Sequence, residues 1–67
     1  MAGDLSRISA LVLDDNAHMI HIVRTMLRGF GINHTYESRD AAEALELVRH
    51  EPIDIVIADY QMDLLDG

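Results

Sequence analysis

Cysteine and lysine are both absent from these 67 residues, and proline occurs once, at Pro52. Without cysteine there is no disulfide and no thiolate zinc site. Without lysine, five arginines stand against twelve acidic residues, for a net charge of −7. A chain so poor in clustered cations is not built to hold phosphate backbones or anionic lipid. No apolar run approaches the ~20 residues of a membrane span, and the opening MAGDLSRIS lacks the apolar heart of a signal peptide. These absences point to a soluble cytoplasmic protein, with neither nucleic acid nor membrane among its partners. They also leave a shortage of support. A domain of this size buries only about 60% of its unfolded surface, so association or a hard cation has to supply what disulfides do not.

What is present alternates in type. With 49% hydrophobic residues, the chain has too many apolar segments for disorder. Residues 8–13 (ISALVL) form a short apolar run, the pattern of a strand buried on both faces. Asp15 or Asn16 can then cap a helix over 17–28. Its apolar stripe is read as Met19, Ile22, Val23, Met26, Leu27 and Phe30, with Met19 and Met26 as core packing. Gly29 and Gly31 supply its left-handed end. Residues 33–37 (NHTYE) read as a polar edge strand, and Asp40 and Glu43 have capping-box spacing for a second helix. Ala41, Ala44, Leu45 and Val48 form that helix's apolar face, and Pro52 ends it. Residues 53–58 (IDIVIA) give a third strand. The order β-α-β-α-β implies right-handed crossovers and a parallel sheet.

Open parallel sheets bind ligands beyond the carboxyl ends of their strands. Asp14 and Asp15 end the first strand and Asp59 ends the third. If those strands are neighbours, three carboxylates meet at one rim. At ~4 Å each pair repels by about 1 kcal/mol in water and about 4 kcal/mol at an effective dielectric of 20. A fold tolerates this when a cation sits between them or when one carboxyl stays protonated. Oxygen-only ligands suit Mg²⁺ or Mn²⁺ rather than zinc, and a carboxylate beside such an ion can act as a nucleophile toward a phosphoryl group. Taken singly, each aspartate also reads as an ordinary solvated cap. His18 and His21 have no evident third ligand, and solvent-facing helix positions suit them better.

LVLDDN at 11–16, the helix after it, and DIVIADYQMDLLDG at 54–67 together resemble the receiver domain of two-component response regulators. In the last stretch Asp59, Met62, Asp66 and Gly67 fall in the family's register. The resemblance implies a flavodoxin-like α/β fold and a phosphoacceptor role for Asp59, with a histidine kinase or phosphotransfer protein as donor. It makes Asp15 and Asp59 direct ligands of Mg²⁺ (or Mn²⁺), gives the metal the backbone carbonyl of Gln61, and places Asp14 in the outer shell. Such a domain is a phosphoacceptor rather than an enzyme, at most self-phosphorylating weakly from small phosphodonors. Asp63 departs from the family's usual proline, which removes a rigid turn and adds a charge near the site.

The family's sheet has five strands in the order 2-1-3-4-5, and its phosphoryl group is also touched by a Ser or Thr after strand four and a Lys after strand five. Residues 1–67 supply the first three strands and two helices, so the expectation is a truncated, N-terminal half receiver with a three-stranded sheet of order 2-1-3. Such a half is expected to phosphorylate poorly and to transmit no switch. Its exposed third strand is expected to be completed by dimerisation. The alternative function is a non-catalytic half-fold that assembles as a homodimer and no more. A haloacid-dehalogenase-type phosphatase, which wants Asp-x-Asp on the first strand, is set aside because this chain has Asp14-Asp15.

Overall fold

The computed structural model describes residues 5–59. A 3₁₀ turn at Leu5–Arg7 leads into β1 (Ser9–Leu13), α1 (Ala17–Gly29), β2 (His34–Ser38), α2 (Ala41–His50) and β3 (Ile55–Ala58). The three strands are parallel, as the alternation of strands and helices implies, and they lie in the order β2-β1-β3 expected from the family resemblance. β1 is central, and all five of its residues are buried, which is why SALVL reads as a continuous apolar run.

Handedness sets the layers. The first crossover moves from β1 to β2 on one side, and the second returns past β1 to β3. Keeping both right-handed puts the two helices on opposite faces. The period of two along β1 then divides its side chains. Ala10 and Val12 pack with Ile20, Leu27 and Ile32 beneath α1, and Leu11 and Leu13 pack with Ala44 beneath α2. β3 is paired on one side only among the described residues, and Ile55 and Val56 are 38% and 49% exposed.

The helix faces differ from the stripes read in the sequence. α1 buries Ile20 and Leu27, with Val23 partly packed. Met19, Ile22, Met26 and Phe30 are exposed, Met26 and Phe30 by more than half, so Met19 and Met26 are not core. α1 presents one end of a wide apolar arc to β1, and the described strands do not reach under the other end. α2 behaves alike, burying Ala44 and partly covering Leu47, while Leu45 and Val48 stay exposed.

The helix ends follow the local chemistry expected of them except at Gly29, which is the last helical residue without a positive φ and leaves the left-handed turn to Gly31. Asn16 caps α1, its side chain accepting from the His18 and Met19 N–H groups. At the other end the Gly31 N–H bonds the Arg28 carbonyl and the Ile32 N–H bonds the Leu27 carbonyl, a Schellman closure that requires the left-handed φ of 96° at Gly31. Asp40 caps α2 by accepting from the Glu43 N–H at 3.0 Å. The box is not reciprocal, because the Glu43 carboxylate lies 3.0 Å from the Ser38 hydroxyl instead.

Candidate functional site

At the carboxyl end of the sheet, ladder hydrogen bonds continue one residue past the strands. The Asp14 N–H donates to the Ser38 carbonyl and the Asp59 N–H to the Leu13 carbonyl, both at 3.1 Å. These two bonds hold the backbones of Asp14 and Asp59 side by side as extensions of β1 and β3. The strand order reverses at this point, β2 and β3 lying on opposite sides of β1, and that is where an open α/β sheet forms its crevice.

Asp14, Asp15 and Asp59 each bring a carboxylate oxygen to within 4.8 Å of the others. Their environments differ. Asp14 is 9% exposed, and its Oδ1 accepts the Asn16 N–H at 2.9 Å, a local turn that aims the loop into α1. Asp15 is exposed and Asp59 half-buried. A cleft of about 440 Å³ opens beside them, lined by Val12, Leu13, Met19, Val23, Ile57 and Ala58 together with Asp14 and Asp59. The pocket is thus apolar below and acidic at its rim.

The donor set fits a hard divalent cation. All three side chains offer oxygen, the ligand type that Mg²⁺ and Mn²⁺ prefer, and a charge of +2 among three anions offsets their mutual repulsion. Among the described residues no histidine joins this group. His18 and His21 are exposed on the first turns of α1. Gln61, expected to offer a backbone carbonyl, lies outside the described residues, as do Tyr60, Met62, Asp63, Asp66 and Gly67.

Ser38, the last residue of β2, and Arg39, in the turn after it, belong to the site's surroundings and carry no signal in the sequence. Ser38, 2% exposed, gives its carbonyl to Asp14. Arg39 reaches across to donate to the Asp15 carbonyl at 3.2 Å. Both contacts join residues 24 positions apart, so only the parallel pairing of β1 with β2 brings them together.

The family model described as the response regulator receiver domain matches residues 10–67. The chain is 35% identical over 57 residues to the chemotaxis protein CheY-3 of Vibrio cholerae, an alignment covering 85% of this chain and 44% of that protein. It is 37% identical over 60 residues to the transcriptional regulatory protein ZraR of Escherichia coli, covering 90% of this chain and 13% of that protein. The chain therefore spans less than half the length of either relative. No solved structure matches it significantly.

Proposed function

The chain belongs to the response regulator receiver domain family, and from that premise we propose that it is a phosphoacceptor module that takes a phosphoryl group onto Asp59. The donor is the phosphohistidine of a histidine kinase or of a phosphotransfer protein in the same two-component system. A carboxylate oxygen of Asp59 bonds to phosphorus, the P–N bond breaks, and the departing ring nitrogen takes up a proton. An acyl phosphate is left on Asp59.

The observation that carries this reading is the convergence of Asp14, Asp15 and Asp59 within 4.8 Å at the carboxyl ends of neighbouring parallel strands. Asp15 and Asp59 would hold Mg²⁺ or Mn²⁺ directly, with the Gln61 carbonyl beside them. When bound, the ion supplies charge neutralisation for the transferring oxygens. Asp14 acts from the outer shell. That role is supported by its low exposure and by the oxygen already engaged with the Asn16 N–H. The open cleft beside the rim has an apolar floor formed by Met19, Val23 and Ile57.

Residues 1–67 correspond to the first three strands and two helices of the receiver fold. They contain no lysine, so the cation that the family aims at the phosphoryl group is not among them. On their own they phosphorylate weakly and transmit no switch, and they act as an acceptor in the cytoplasm rather than as an enzyme. The test is incubation with a small acyl-phosphate donor and Mg²⁺, read by intact mass, for this chain and for Asp59→Asn. The reading predicts an added phosphoryl mass that requires Mg²⁺ and disappears in the variant. A folded sample that gains no mass counts against it.

A second reading is supported by the exposure of Ile55 and Val56 on the single-sided β3. In that reading the half-fold is an association module. Two copies pair their third strands antiparallel, giving one sheet of order 2-1-3-3′-1′-2′.

A further inference from the structure

Two hydrogen bonds run from the end of β2 and the turn after it to the loop that carries Asp14 and Asp15. The Ser38 carbonyl accepts from the Asp14 N–H at 3.1 Å, on the way into the acidic pair. The Arg39 guanidinium donates through Nη2 to the Asp15 carbonyl at 3.2 Å, on the way out. Between them the loop is held at both ends by one short segment.

That segment is itself firmly fixed. The Ser38 hydroxyl sits 2.7 Å from the Asp40 carbonyl and 3.0 Å from Glu43 Oε1, two acceptors that share its one proton. It also accepts the Asp40 N–H at 3.3 Å. Asp40 in turn caps α2. The arginine stem therefore projects from a turn anchored to a helix N-terminus and to a strand packed on the core.

We propose that Arg39 is a positioning residue for the divalent-cation site: by pinning the Asp15 carbonyl, it presents the Asp15 carboxylate toward Asp14 and Asp59. The proposal rests on reading those three aspartates as a cation site. Arg39 touches neither the cation nor the acceptor and acts through the backbone of Asp15.

Charge and geometry make opposite demands at this position, which allows a test by sign. A guanidinium near three carboxylates partly neutralises them, so if it served only as a charge, removing it would tighten the binding of a cation. If it positions the loop, removing it weakens binding even though a competing positive charge has gone. Groups that orient metal ligands from behind typically contribute 10- to 100-fold in affinity. For an exposed arginine about tenfold, the lower end of that range, is expected. Arg39 is exposed, so replacing it opens no cavity in the core.

The experiment is a Mn²⁺ titration of the unmodified chain, Arg39→Met and Arg39→Lys, read by electron paramagnetic resonance of the free ion. Amide hydrogen exchange at Asp15 and Asn16 in metal-free protein is the second readout. Arg39→Met should bind Mn²⁺ about tenfold more weakly and exchange those amides faster. Arg39→Lys, which keeps one donor and the charge but not the planar fork, should recover part of both. Arg39→Met binding as tightly as the parent, or tighter, overturns the positioning role while leaving the cation site standing. A parent chain with no saturable Mn²⁺ binding removes the cation site first and this role with it.

Discussion

Tyr36 shows how a single side chain senses its surroundings at a distance from the acidic rim. Its hydroxyl donates to Glu51 Oε1 at 3.2 Å, joining β2 to the end of α2. Burial first, and then the Glu51 carboxylate, raise its pKa above the ordinary 10.0. The neutral phenol is thus favoured in the folded state. The sign follows: this contribution to stability is complete below pH ~10 and is lost as pH rises through the folded value. In a Tyr60→Phe background, phenolate absorbance should titrate above 10.0, and Glu51→Gln should bring the midpoint back toward it. A midpoint at or below 10.0 in the background protein would contradict the Tyr36–Glu51 bond. At the same scale, Asp14, Asp15 and Asp59 were legible in the sequence as neighbours, because each follows an apolar run and parallel sheets gather such residues at one edge. Ser38 and Arg39 were not. Nothing local marks a serine carbonyl or an arginine tip as a partner of a loop 24 residues away.

At the scale of elements, the local chemistry of the helix ends was readable and their burial was not. Asn16, Asp40 and Gly31 act through bonds within a few residues of themselves, so the sequence contains both partners. The two glycines near the end of α1 have opposite roles. Gly31 has φ 96°, and among the described residues a Cβ placed there would meet only Leu5 Cβ, at 3.8 Å, so the cost of a side chain is the backbone's alone. Gly29 is the last helical residue, does not have positive φ, and has no described residue within 4 Å of a Cβ placed there. Gly31→Ala should therefore lose about 1–2 kcal/mol, and Gly29→Ala should gain up to ~1 kcal/mol. Urea unfolding of both variants checks this, and equal shifts would contradict the Schellman closure at Gly31. The face that α1 turns inward depends instead on what lies beneath it. Ile20, Val23 and Leu27 lie at one end of an apolar arc whose other members, Ile22, Met26 and Met19, occupy adjoining positions on the helical wheel. Periodicity finds the arc but not which end of it meets a strand.

For the molecule as a whole, the exposed ends of both arcs share a direction. On the α1 face Met19 and Val23 border a cleft with Ile57 and Ala58 of β3. On the α2 face Ala41, Leu45 and Val48 border a groove of about 420 Å³ with Leu11, Leu13 and Val56. β3 lies between the two, apolar and β-branched, with its second edge unpaired among the described residues. The side of the fold away from β2 therefore has a backbone edge and two apolar grooves, which the association reading proposes to cover with a second copy of the same edge, by strand pairing and side-chain burial together. Sedimentation velocity should then show a dimer that dissociates on dilution. Val56→Lys places a charge on this edge and removes an apolar side chain from the groove. About half of Val56 is left to bury on association, so its loss costs about half of the ~1.5–3 kcal/mol of a fully buried valine in each copy; the two copies together should raise the dissociation constant about tenfold or more, since about 1.4 kcal/mol corresponds to a factor of ten. Val56 is 49% exposed within one chain, so the variant should keep its helical circular dichroism and acceptor chemistry while losing the dimer. A Val56→Lys chain that associates as strongly as its parent places the contact elsewhere. A parent that sediments as a folded monomer at all concentrations removes the association module and leaves phosphoacceptance as the remaining reading.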